Sequence, residues 1–144
     1  MTELDAGLVR RKLALIARNL GDLSPLQGIT LAEYTGDRFR VKGVERLLQE
    51  TVGAAVDVNL HVLRAESAPT PPDYFESFMQ LGRQGVVPED LAQRLAPSAG
   101  LRNRLVHEYD EIDHSIVLAS IGMAVREFGE YVAALEGYLE DRGL

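Results

Sequence analysis

One short run of this chain carries the groups that phosphodiester chemistry requires. Arg102, Asn103, Arg104, His107 and Tyr109 lie in Arg-Asn-Arg-Leu-Val-His-Glu-Tyr, a pattern R-N-x-x-x-H-x-Y. The whole chain has three histidines, so one placed here is not background. Cutting RNA without a metal needs a base to deprotonate the 2′-hydroxyl and an acid for the departing 5′-oxygen. It also needs a cation for the crowded phosphate. Histidine moves protons well because its ordinary pKa lies near operating pH. Arginine keeps its charge and grips phosphate oxygens through two parallel hydrogen bonds.

On an ideal helix Arg102 and Tyr109 share a face, and Asn103 and His107 share the adjacent one. Arg102 and His107 stand about 140° apart, a gap that a long arginine side chain can bend round. One chain supplies one such histidine, whereas the reaction asks for a base and an acid. A two-fold homodimer that apposes two of these helices supplies two histidines and two arginines in one composite cleft. A plainer reading stays open. His107 can end a helix, where an imidazolium is stabilised. Arg102 can pair with Glu108 or Asp110 at the surface, and Tyr109 can be a packing residue.

The elements that must position these groups are helices. With 144 residues and 46% hydrophobic content, the chain fits a single domain, 1–144, with one core. Leu4, Leu8, Leu13, Ile16, Leu20 and Leu23 recur at helical steps and predict a helix from Glu3 to Leu23. Thr30 to Glu33 has the spacing of a capping box, so a second helix starts at Thr30. From Asp37 to about Glu66 the apolar residues cover more than one face, which predicts burial on two sides. Gly43 and Gly53 each cost about 1 kcal/mol there relative to Ala, and close approach of a neighbouring helix would offset that. Asp73 caps a short aromatic helix, Tyr74 to Gly82. Gly85 to Pro88 is a turn, with Pro88 as first residue of a helix ending at Ala96. The motif helix then runs from Ser98 to about Tyr109, and Asp113 caps a final long one. The sum is an all-α bundle with three long helices and shorter ones between.

Composition bounds the function classes. A formal net charge of −7 repels nucleic acid at long range, so any RNA contact must use a local basic focus. There is no cysteine, hence no disulfide framework and no thiolate metal site. No apolar run approaches the roughly 20 residues of a membrane span, and no signal peptide is read. A cytoplasmic protein with no membrane partner is expected. Asp57 and His61, one turn apart, read as a structural polar pair rather than metal ligands, so no metal site is assigned. His114 beside the Asp113 cap reads as solvated. Tyr74, Phe75 and Phe78 read as core rather than a base-stacking platform.

The motif and its flanks resemble the signature of HepT-like toxins, a branch of the HEPN superfamily of ribonucleases. Gly85-Val86-Val87-Pro88, Ala99-Gly100-Leu101-Arg102-Asn103, Val106-His107-Glu108-Tyr109-Asp110 and Ile112-Asp113 are similar to that family's segment in order and spacing. Arg38-Phe39, Val44 to Glu50 and Asp57-x-x-x-His61 resemble its long second helix. Gly43 and Gly53 depart from the pattern, and Arg104 adds a charge that enlarges the basic focus.

The resemblance implies an HEPN-type all-α fold, a homodimer and a metal-independent endoribonuclease toxin acting on RNA. Arg102 and His107 are then catalytic, Asn103 and Arg104 supporting. Tyr109 is then the acceptor of AMP from an MNT-type nucleotidyltransferase antitoxin. ATP is the partner's substrate in that scheme, and this chain takes no cofactor of its own. The alternative is a non-catalytic dimeric helical protein that holds a nucleotide or protein partner in the same cleft. The negative net charge gives that alternative its weight.

Overall fold

Asp5 opens the first helix, its carboxylate accepting the Leu8 N–H at 3.0 Å, and α1 runs Ala6–Leu23. The computed structural model describes residues 3–108 and 110–144. Val9, Leu13, Ile16, Leu20 and Leu23 form the buried stripe of α1. Burying each such side chain contributes about 1.5–3 kcal/mol. After a 3-10 turn at Ser24–Leu26, the predicted capping box closes on both sides: Glu33 N–H donates to Thr30 Oγ1 and Thr30 N–H to Glu33 Oε1. Thr30 is the cap itself, and α2 is the short helix Leu31–Thr35.

Asp37 caps α3, Arg38–Ala65, which touches α1, α2, α4, α6 and α7. Burial on two sides is therefore met. Its two glycines do not explain it, however. A Cβ at Gly43 or Gly53 would meet nothing within 4 Å, so no neighbouring helix approaches closely at either. The close approach lies elsewhere, at Gly82 of α4 (Tyr74–Arg83), where a Cβ would stand 2.8 Å from Ala92 Cβ of α5 (Glu89–Leu95).

Two turns punctuate the middle of the chain. Ser67, at φ 57°, ends α3, with Ala68 N–H donating to Leu63 O and Ser67 N–H to Arg64 O. Gly85, at φ 74°, ends α4 by the same pair of bonds, to Leu81 O and Gly82 O. Asp73 caps α4 as expected, whereas Pro88 is the residue before α5 rather than its first member. Arg94 ties α5 to the last helix through Glu127 at 2.6 Å and Glu130 at 3.2 Å.

The motif helix α6 spans Ser98–His107, ending short of the expected Tyr109, a residue outside those described. Asp113 then caps α7, His114–Asp141. Among the described residues all regular structure is helical, and α1, α3 and α7 are the three long members. No described helix is long and apolar enough to cross a membrane.

Candidate functional site

Leu101 and Leu105 are buried one turn apart and seat α6 against the core. That register leaves Arg102 half-buried and turns Asn103, Arg104 and His107 to solvent. The helix does not run alongside α3 in the same direction. Arg102 shares a groove with Gly53, Ala54 and Asp57, whereas Asp110 and Ile112, beyond the helix end, share one with Arg38 and Lys42. α6 thus runs antiparallel to α3.

Arg102 stands in a groove of about 240 Å³ between α1, α3 and α6. Two ion pairs line this groove, one between α1 and α3 and one within α3. Lys12 binds Asp57 at 3.0 Å and Arg46 binds Glu50 at 3.1 Å. The nearby acids are therefore matched to other cations. Among the described residues Arg102 makes no ion pair, and its Nε is buried without a hydrogen-bond partner. Instead its guanidinium carbon lies 5.4 Å from the centroid of the Tyr74 ring. With Nε buried, the terminal N–H groups of the guanidinium are what the cation has left to offer an anion.

Tyr74 is itself positioned from the core. Tyr131 of α7, fully buried, donates to Asn59 Oδ1 at 2.6 Å and lies 3.0 Å from Ala55 O. Asn59 Nδ2 donates to Ser77 Oγ at 3.1 Å, and Ser77 Oγ donates to Tyr74 O at 2.7 Å. Burial holds the Tyr131 phenol well above the ordinary tyrosine pKa, so it serves as a fixed donor. A chain of hydrogen bonds thus links α7, α3 and α4 to the seat of Arg102.

The remaining motif residues are spread round α6. His107 is its last residue and is exposed. Arg104 lines a separate cavity of about 120 Å³ with Glu108, Glu111 and Asp113, away from Arg102. Asn103 is exposed and, among the described residues, uncommitted. The fold therefore gathers Arg102 with Tyr74, an unforeseen partner, and does not gather Arg102 with Arg104. Tyr109 lies outside the described residues.

Two readings of polar residues change. Asp57 and His61 do not pair: Asp57 takes Lys12, and His61 Nε2 accepts the Asp5 N–H at 2.9 Å. His114 is only partly solvated. Its ring packs edge-on against buried Tyr34, with centroids 6.2 Å apart, and its Nδ1 lies 4.0 Å from Glu45 Oε2. Burial, then the Glu45 charge, pushes the Tyr34 phenol up to about 12. Among the described residues no group of three or more His, Asp or Glu is arranged as a metal site.

The family described as "Ribonuclease HepT-like" matches residues 16–135. The chain is 37% identical over 139 residues to a "tRNA nuclease HepT" of Aphanizomenon flos-aquae, covering 96% of this chain and 95% of that one. It is 26% identical to an "mRNA nuclease HepT" of Shewanella oneidensis over 90% of this chain and 96% of that one. The fold superposes on the tri-AMPylated Shewanella oneidensis HEPN toxin in complex with MNT antitoxin. The TM-score is 0.80 at 23% identity, over 90% of this chain and 97% of that one.

Proposed function

The chain belongs to the Ribonuclease HepT-like family, and on that premise we propose that it is a metal-independent endoribonuclease toxin controlled by AMP transfer. The observation that carries this reading is the guanidinium of Arg102. It is unpaired among the described residues, lies over the Tyr74 ring at 5.4 Å, and shares its helix with an exposed His107. An uncommitted planar cation suits a phosphate, and an uncommitted imidazole suits proton transfer.

The reaction balances with these groups. An imidazole takes the 2′-hydroxyl proton, the 2′-oxygen bonds to phosphorus, and the bond to the 5′-oxygen breaks. A second imidazolium gives that oxygen its proton. The products are a 2′,3′-cyclic phosphate and a 5′-hydroxyl. Arg102 holds the phosphate oxygens as charge gathers, and Asn103 orients phosphate or imidazole. Arg104, on the other side of α6 among Glu108, Glu111 and Asp113, stands apart from the phosphate held by Arg102, so the supporting role falls to Asn103. The second histidine comes from a second copy of the chain, which makes the site a cleft between two subunits.

Control would fall on Tyr109. Its oxygen attacks the α-phosphorus of ATP, held by a partner nucleotidyltransferase antitoxin, and pyrophosphate leaves. Each AMP would add negative charge and bulk to the motif and so repel and block RNA. A cysteine-free chain suits a reducing cytoplasm.

Incubating the purified chain with RNA in excess EDTA tests the reading. We expect fragments ending in 2′,3′-cyclic phosphate and 5′-hydroxyl. Intact RNA, or ends with 5′-phosphate, would overturn it. The net charge of −7 favours one second reading, a non-catalytic binder. Tight RNA or nucleotide binding with no fragments would identify that case.

A further inference from the structure

We infer that Arg38, Lys42 and Arg46, with Phe39 beside them, form a docking track for single-stranded RNA that extends the Arg102 groove along α3. The inference deepens the nuclease reading above and rests on it for where cleavage occurs.

Adjacency along α3 is the first observation: the two grooves share no lining residue, but Lys42 of one and Arg46 of the other are one helical turn apart. Arg46 lines the groove that holds Arg102. Arg38 and Lys42 line a second groove of about 330 Å³, which also takes in Thr35, His114 and the segment just after the motif helix. Because α6 runs antiparallel to α3, the column starts beside Arg102 and ends beside the chain that leaves His107.

Charge is the second. Arg38, Lys42 and Arg46 follow one another at one-turn spacing, about 6 Å of rise per step. Like charges so placed repel and weaken an isolated helix. Arg38 also sits in the first turn, where the helix dipole disfavours a cation, and that turn holds no acid. Lys42 and Arg46 are partly offset by Glu45 and Glu50, pairs of little strength, and an extended strand of phosphates would compete for these cations at matching intervals. In a chain of net charge −7 the segment 37–46 carries four cations and two acids. Glu45 is buried against Lys42, and Glu50 is bound to Arg46. Asp110 is the one carboxylate lining the second groove among the described residues.

Exposure is the third. Phe39 is 90% exposed, the most exposed of the large apolar side chains among the described residues. At helical pitch it lies within about 100° of arc of all three cations. An aromatic face among cations is the arrangement on which an unpaired base stacks while its neighbouring phosphates are held. Arg40 is not part of the track, since at helical pitch it lies about 120–160° round the helix from all three cations, and its Nη1 donates to Glu33 O at 2.6 Å.

The test uses the full chain and two RNA strands of one sequence. One strand is unmodified; the other is 2′-O-methylated throughout, so it binds without being cut. Phe39→Ala and the double variant Arg38→Gln/Lys42→Gln should each bind the methylated strand roughly tenfold more weakly. The double variant should also flatten the salt dependence of log Kd by about 1.4, the share of two phosphate contacts on a single strand. Arg64→Gln, which removes an exposed cation at the far end of the same helix, serves as the control for loss of charge away from the track and should bind as the parent does. If the track variants bind within about twofold of the parent, or change only oligomer size, the track is wrong. If the parent then still cuts the unmodified strand, the nuclease reading survives alone. If the parent binds through the track and cuts nothing, the track survives alone. If it neither binds nor cuts, both fall.

Discussion

The guanidinium of Arg102 stacks over Tyr74 at 5.4 Å, and this contact joins two helices that the motif alone does not connect. The ring supports the cation without forming a hydrogen bond to it among the described residues, which leaves its terminal N–H groups to a ligand. Arg102→Lys keeps the charge but loses the planar fit, so cleavage should fall well below the parent. Tyr74→Leu should raise KM by about two- to fivefold with kcat little changed, matching a cation–π contact of about 0.5–1 kcal/mol. Steady-state kinetics on one RNA separates the two. A Tyr74→Leu enzyme with the parent's KM would show that the stack does not present Arg102 to phosphate.

If base and acid come from two subunits, one defective chain disables the shared cleft. Heterodimers of the parent with an Arg102→Gln/His107→Ala chain, isolated through two affinity tags, should retain far less than half of the parent's rate. A rate near one half would mean that each chain works unaided.

The hydrogen-bond chain beneath Tyr74 makes a stability prediction. Tyr131→Phe removes the donor to Asn59 Oδ1 and strands buried acceptors in the core. The expected loss is about 1–3 kcal/mol, read from urea unfolding. A variant as stable as the parent would mean that the chain does not brace the seat of Arg102.

Alkaline pH should act through Tyr34. Its pKa is raised from 10.0 to about 12 by burial and then by Glu45. A raised phenol stabilises the fold below the unfolded pKa, and that stability is lost as pH rises toward the folded one. The melting temperature should therefore decline between about pH 10 and pH 12. Burial also raises Tyr131 and Tyr138, so Tyr34→Phe should lessen this decline and leave the part due to those two. It should cost little at neutral pH, because the hydroxyl is buried without a partner among the described residues. An unchanged profile would remove Tyr34 as the cause.

The helices were legible because their signals are local. Asp37, Asp73 and Asp113 cap where their side chains reach the next free N–H groups, and apolar spacing marks the buried stripes. Contacts between helices were not legible. Nothing in the spacing of Tyr74 and Arg102 announces their stack, and His61 meets a backbone N–H far away in sequence. Glycine misled for a related reason. Its cost in a helix is the same whether or not a neighbour approaches, so Gly43 and Gly53 looked like contact points while Gly82 was one. The motif was legible as chemistry, but only the fold shows that Arg102 and Arg104 line different cavities.

The most direct test of the account is the single-turnover rate of RNA cleavage by His107→Ala in EDTA, with affinity for 2′-O-methylated RNA measured alongside. Loss of proton transfer should lower the rate by about 10²–10⁴-fold while that affinity stays close to the parent's. A variant that cuts as fast as the parent would contradict the assignment of His107, and with it the mechanism.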